Sequence, residues 1–338
     1  MTVTQRSSQA AKSDPSVEGT ASRPATARPK TATPFSGRYN PKLIKRISPE
    51  TSDKGAALSH KQWTRMVTIG AIAMILYYTA KTGQTNTIMA KQSEVLESKR
   101  YQNSVCTPSY RQDIEKVGSK DCLPRKCGRV IMDDLLQESE TEAILALAKK
   151  GLAQGGSSGG ASILDLHSGA LSQGEAFINV YKVYPDLFTR SEFEVYKSVK
   201  DRVKAAVAEH FGLNNDHLFL SHPTFFSRIT AAPAQTLHDE YWHVHIDKET
   251  YPSFHYTSLL YLTDFGIDFQ GGSFVFVDAH DNMNRTIEPR MGRVSAFTSG
   301  IENKHHVERV TSGIRYALTM GFTCDPSQAI PNPGDDLP

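Results

Sequence analysis

"YWHVHIDKETY", residues 241–251, places two histidines and an aspartate within five positions: His243, His245 and Asp247. In an extended strand, residues two apart point to the same face, so all three side chains could converge on one spot. The cluster reads as a metal site or as a charged surface, and the rest of the chain decides between them. Its surroundings are strand-like. From residue 217 the sequence breaks into short runs separated by turn residues: "HLFL" (217–220), "TFFSRIT" (224–230), "TSLLYL" (257–262), "GSFVFV" (272–277), "RVSAF" (293–297), "HHVERV" (305–310) and "RYALTMGFTC" (315–324). Many short strands without intervening helices predict a sandwich or barrel, not a parallel sheet.

Helices come earlier. Ser139-x-x-Glu142 reads as a capping box opening "TEAILALAKK", with Gly151 as its stop. Ser191-x-x-Glu194 opens a second helix, in which Tyr196, Val199, Val203, Val207 and Phe211 recur at helical spacing before Gly212. Helices followed by an all-β half predict an α+β domain built on a double-stranded β-helix, or jelly roll, with supporting N-terminal helices. Between the helices, "GGSSGG" (155–160) lacks the Gly-Lys-Ser/Thr ending of a phosphate loop and reads as a surface loop.

Upstream, residues 1–65 carry twelve Lys and Arg against four Asp and Glu, although the whole 338-residue chain nets only +2. A basic tail of this composition, taken as residues 1–62, cannot bury enough apolar surface to fold alone. Residues 66–80, "MVTIGAIAMILYYTA", hold no charge, and Trp63 precedes them. As a helix, residues 63–80 would span roughly 27 Å, enough for a thin bilayer. They are expected to form a transmembrane signal anchor, with the basic side cytoplasmic. That makes the chain a single-pass type II protein with the bilayer as a partner. A polar stem (81–124), the main domain (125–325) and a C-terminal tail (326–338) would then lie lumenally, in endoplasmic reticulum or Golgi, or extracellularly. All four cysteines, Cys106, Cys122, Cys127 and Cys324, fall there and are disulfide candidates with three possible connectivities. Asn284-Arg-Thr286 is a glycosylation sequon on the same side.

Two His and one carboxylate with open positions form the facial triad of non-haem Fe(II) oxygenases. His245-x-Asp247 supplies two ligands, and "NKHHVERVTSGIRYALT" (303–319) offers a third followed by an arginine. In order, the chain shows H-x-D, "YL" sixteen residues after the first His, "GGSF", and His305-x-Val307-x-x-Val310-x-x-Gly313-x-Arg315. Over residues 125–325 this resembles the 2-oxoglutarate- and iron-dependent oxygenases of the prolyl 4-hydroxylase class. The resemblance implies His245, Asp247 and His305 as iron ligands, with His306 as the rival distal histidine, since neighbours on a strand face opposite ways. It implies Arg315 and Tyr261 holding the far carboxylate of 2-oxoglutarate, a task suited to a planar guanidinium. Thr319, four residues on, could add a hydrogen bond. Fe(II), 2-oxoglutarate, O₂ and ascorbate are the implied cofactors and co-substrates. A protein or peptide side chain, prolyl or otherwise, is the implied substrate.

Other readings stand beside it. A catalytically inactive, membrane-anchored jelly-roll binding module would keep the fold and lose a ligand or the arginine. A zinc hydrolase would use His243, His245 and Asp247 with Glu240 or Glu249 as base. His238-Asp239-Glu240 mimics H-x-D without the correctly spaced tyrosine. His222, His255 and His280 read as structural or exposed. Arg228 and Lys248 read as solvated charges or substrate contacts, and nucleic-acid binding by the tail is set aside because basic flanks ordinarily set topology.

Overall fold

The computed structural model describes residues 59–82, 85–117, 120–236, 239–278 and 282–334. The basic tail, up to residue 58, lies outside them, as do His238 and His280. Helices are α1 (His60–Thr82), α2 (Pro108–Lys116), α3 (Glu138–Leu152), α4 (Val180–Val183), α5 (Arg190–Phe211) and α6 (Asp247–Thr250). The first strands are β1 (Thr85–Ala90), β2 (Arg100–Ser104) and β3 (Cys127–Met132), then β4 to β7 (Gly156–Ser157, Ala161–Leu164, Ala170–Gly174, Ala176–Asn179). The later ones are β8 (Phe219–Thr230), β9 (Tyr256–Tyr261), β10 (Phe269–Gly271), β11 (Phe274–Asp278), β12 (Met283–Ile287), β13 (Val294–Thr298), β14 (His305–Val307) and β15 (Val310–Thr323).

Two sheets face each other. The smaller runs β1-β12-β11-β14, and the larger β2-β3-β13-β9-β15-β8-β5-β6-β4, with β10 on β15 and β7 on β6. Alternation sorts each strand of the larger sheet between two layers. Ile131, Leu259, Tyr261 and Phe297 point inward against Phe274, Phe276 and Ile287 of the smaller sheet. Their outward neighbours Val130, Leu260, Ala296 and Leu318 pack on α3 and α5 through Ile144, Leu147, Val199, Val203 and Val207. This is the expected jelly roll with its backing helices, and the site lies in its interior.

Both capping boxes sit two residues earlier than the sequence suggested. Gln137 pairs with Glu140 ahead of α3, and Thr189 with Glu192 ahead of α5. Gly212 closes α5 in the left-handed conformation as expected, whereas α3 runs through Gly151. The glycine is there for close approach: a Cβ would stand 2.3 Å from Leu164 Cδ2 and 2.8 Å from Phe188 Cζ.

Several expectations are corrected. A helix forms over residues 63–80 as part of α1, but no helix among the described residues is long and apolar enough to cross a membrane. Thr64, Arg65, Thr68 and Gly70 dilute its hydropathy, and Lys61 and Lys81 flank it. The signal anchor, the type II topology and the bilayer partner lose their basis with it. The stem is no stem: β1 pairs in parallel with β12, β2 pairs with β3, and Leu96, Tyr110 and Ile114 are buried. Main-chain pairing needs no apolar composition, so a polar stretch joined the sheets unannounced. Fully buried Arg293 fastens it, bonding Asp133 and the carbonyls of Lys91 and Glu94. The C-terminal tail is also fixed, by Ile330 N–H to Leu220 O (3.1 Å) and Lys200 Nζ to Asn332 Oδ1 (2.8 Å). Asn284 lies half-buried within paired strand β12, where a glycan acceptor is expected on a surface loop. The cysteines form two disulfides, Cys106–Cys127 and Cys122–Cys324.

Candidate metal centre

The backbone of "HVHID" is not a continuous strand. Only His245 makes a β-bridge, to His305, through His245 N–H to His305 O (2.9 Å) and its reciprocal (3.1 Å). Ile246 is extended and Asp247 opens α6, so the i, i+2 rule holds for His245 and Asp247 alone. His243 turns out to solvent, its Nε2 2.7 Å from Glu240 Oε2. That removes the zinc triad His243–His245–Asp247.

His245, Asp247 and His305 converge, with one potential ligand atom from each lying within 4.8 Å of the others. Each imidazole commits Nδ1 to a carbonyl, which can only accept: His245 to His243 O (2.9 Å), His305 to Asn303 O (2.8 Å). The two Nε2 atoms therefore turn lone pairs toward one oxygen, Asp247 Oδ1, at 3.5 and 3.4 Å. Three electron-pair donors facing inward across such distances fit a bound cation. Asp247 Oδ2 accepts from Thr257 Oγ1 (2.6 Å), itself 2.8 Å from Ser299 Oγ. Burial alone would raise the Asp247 carboxyl; positive charge in the site, carried by protonated His305 and His245 wherever no cation takes that place, and the hydrogen bond from Thr257 outweigh burial and hold the group far below the usual carboxylate range. For His245, burial lowers basicity, but Asp247 and the His243 carbonyl win and raise it.

Alternation turns the adjacent histidines opposite ways, and of the two it is His305 that joins the cluster. His305 is 3% exposed and stacks on Phe274 at 4.9 Å, while half-buried His306 faces the other way on β14. Further along, Arg315 on β15 is 1% exposed. Its Nε donates to Gly272 O (2.9 Å), and its Nη2 is enclosed with no hydrogen-bond partner. No carboxylate among the described residues pairs with it; the Tyr261 ring lies 5.6 Å away, and Tyr261 OH meets Ser295 Oγ at 3.1 Å. A buried guanidinium without a counter-ion is costly unless a ligand anion completes it. Thr319 lies on the same inner face, half-buried and opposite Leu259.

The remaining candidates are structural. Asp239 is not a ligand: its carboxylate accepts from Ala161, Gln235 and Thr236 N–H and from the Ser157 and Thr236 hydroxyls. That explains "GGSSGG", since a Cβ on Gly159 would fall 2.1 Å from Asp239 Oδ2. Arg228 holds the Leu152 and Gly155 carbonyls, and His222 stands 3.4 Å from Asp165. Lys248 and buried His255 both face Asp113 of α2, at 2.5 and 3.4 Å. Thr257, Ser299, Ser295 and Asn303 carried no signal in the sequence, because their partners are brought to them only by the fold.

The 2OG-Fe(II) oxygenase superfamily model matches residues 232–322, which span the triad and Arg315. The rat 2-oxoglutarate and iron-dependent oxygenase domain-containing protein 3 is 45% identical over 284 residues, covering 81% of this chain and 88% of that protein. Its Xenopus tropicalis counterpart is 51% identical over 227 residues, 66% of this chain and 71% of that protein. Human prolyl 3-hydroxylase 2 is 30% identical over 148 residues, 39% of this chain and 20% of that protein. Jelly roll, triad and matches together define a 2-oxoglutarate-dependent dioxygenase, which works with Fe(II), 2-oxoglutarate and O₂. The chain belongs to the family of the 2-oxoglutarate and iron-dependent oxygenase domain-containing protein 3 sequences.

Proposed function

We propose that this dioxygenase hydroxylates a side chain of a protein or peptide, in an oxidising compartment outside the cytosol. The observation that carries the site assignment is Arg315, buried and short of a partner beside an inward-facing His-Asp-His cluster. His245 Nε2, Asp247 and His305 Nε2 would hold Fe(II), and Arg315 with Tyr261 would hold the distal carboxylate of 2-oxoglutarate, with Thr319 beside them. When bound, the iron supplies oxygen activation coupled to decarboxylation of 2-oxoglutarate to succinate and CO₂. This chain's residues do the positioning. The carbonyls of His243 and Asn303 fix both imidazole tautomers, and Thr257 orients Asp247. Phe274, Phe276 and Phe297 wall His305 off from water. A protein substrate is supported by the resemblance to prolyl hydroxylases, and the compartment by the two disulfides.

The test is spectroscopic, then chemical. Anaerobic protein with Fe(II), titrated with 2-oxoglutarate, should develop a saturable visible charge-transfer band that Asp247→Ala and Arg315→Ala abolish. Peptide libraries incubated with the aerobic enzyme should then gain the mass of one oxygen atom, with succinate formed in equal amount. A folded wild-type protein without the band would sink the assignment. Succinate formation with small-molecule acceptors only would sink the protein substrate.

A further inference from the structure

A groove of about 480 Å³ opens at the end of β2, on residues that take no part in the metal centre. Arg111, Arg125 and Lys126 border it, all exposed, and Ser104, Val105 and Cys106 complete its wall. No carboxylate lines it, and among the described residues none of the three cations has an ion-pair partner. Nearby cations are treated differently: Arg100 is matched by Glu94 at 2.6 Å and Lys99 by Glu209 at 2.9 Å. Three uncompensated positive charges around one concavity favour an anionic occupant.

Strand β2, whose end lines the groove, also presents an open edge. Among the described residues β2 is the last strand of the larger sheet and pairs through one edge, to β3. It carries neither proline nor glycine, and no bulge interrupts its register. Free edges of this kind are usually blunted, because their spare N–H and C=O groups template another strand. Tyr101, Asn103 and Val105 alternate outward, Val105 being 89% exposed. Ser104 Oγ is enclosed in the groove wall with no partner.

We propose that β2 and this groove dock an acidic, extended segment of a protein partner, added as a strand with its carboxylates on Arg111, Arg125 and Lys126. Charge selects an anion, and the open edge selects a polypeptide, since a glycan or nucleic acid offers no matching ladder of N–H and C=O groups. Val105 and Cys106 give the groove's lining an apolar part that suits β-branched side chains between the acids.

The experiment uses the full chain and a fluorescein-labelled, alternating Glu-Val peptide of about ten residues, the length of a long edge strand. Fluorescence anisotropy should show saturable binding, weakened roughly tenfold or more by the triple variant Arg111→Glu/Arg125→Glu/Lys126→Glu, as three lost surface pairs imply. Reversal at Lys182, an exposed lysine outside the groove, should leave binding unchanged. The Lys-Val counterpart and a Glu-Val peptide N-methylated at alternate residues should both fail to bind. Equal binding of the N-methylated peptide would overturn strand addition. A heparin fragment that binds more tightly and displaces the peptide would overturn the choice of a polypeptide. Inorganic pyrophosphate competing as well as the peptide would reduce the site to one for small anions and overturn the proposal too. Circular dichroism of the triple variant separates lost binding from lost fold, and none of these outcomes depends on the metal centre.

Discussion

Arg315→Met separates a ligand-holding arginine from a structural one. The wild-type guanidinium is 1% exposed, keeps one bond to Gly272 O at 2.9 Å, and leaves Nη2 enclosed and unpaired. Removing the charge relieves an uncompensated desolvation cost; the same change forfeits a charged hydrogen bond of about 1.5–3 kcal/mol and some fit. Replacing buried ionic groups by apolar ones of similar volume is typically neutral or stabilising by about 1–4 kcal/mol. The ligand-free variant should therefore be as stable as wild type or more so, by up to about 3 kcal/mol, or roughly 6–12 °C in Tm for a domain of this size. The ligand response should invert. Under anaerobic Fe(II), 2-oxoglutarate at a hundred times its Kd adds about 2.7 kcal/mol to wild type. To Arg315→Met it should add almost nothing. Differential scanning fluorimetry with and without co-substrate reads both numbers. A variant destabilised by several kcal/mol that still gains Tm with 2-oxoglutarate would show that Arg315 serves the fold.

Three further outcomes follow from the same structure. Thr257→Val removes the 2.6 Å bond to Asp247 Oδ2 while keeping shape, so Fe(II) affinity should fall about 10–100-fold with little change in Tm; unchanged affinity by competition with a chelator would refute it. Burial, aided by the Lys248 charge, lowers His255 to about 4 despite Asp113. Since its unfolded value is near 6.5, the unfolded chain alone takes up this proton between pH 6.5 and about 4. Stability should fall by about 3 kcal/mol across that window as pH drops, and His255→Gln should flatten the Tm–pH slope there. Gly151→Ala drives a methyl into Leu164 and Phe188 and should cost about 1–3 kcal/mol in urea unfolding, whereas unchanged stability would mean that α3 slides freely on its sheet.

What the sequence disclosed follows a physical divide. Strands such as "TSLLYL" and "RYALTMGFTC" were legible because buried β-strands write their burial into composition. So was the cluster of His245, Asp247 and His305, because metal-binding chemistry admits few residue types. β1 and β2 were illegible for the converse reason: their membership of the sheets is carried by main-chain hydrogen bonds, which any polar residue can make. The uncharged run at 66–80 misled in the opposite direction, since a charge-free stretch is a weaker condition than one apolar enough to span a bilayer.

The metal centre shows the divide within a single site. The sequence argument brought His243, His245 and Asp247 together by treating them as one strand face. The structure keeps only the part of that argument for which the backbone is extended, the step from His245 over Ile246 to Asp247. His243, one pleat earlier, leaves the site because no second bridge holds it. His305 then arrives across the bridge, where it and His245 exchange both N–H···O bonds. A two-residue bridge is a short device, yet it sets the two imidazoles edge to face with ring centroids 4.4 Å apart. Its accuracy comes from elsewhere: from the three phenylalanines packed on His305, and from Asn303, whose amide bonds Gly128 and Thr298 while its carbonyl holds His305 Nδ1. The members of the cluster are therefore specified locally and aimed globally, which is why their residue types could be read along the chain and their geometry could not.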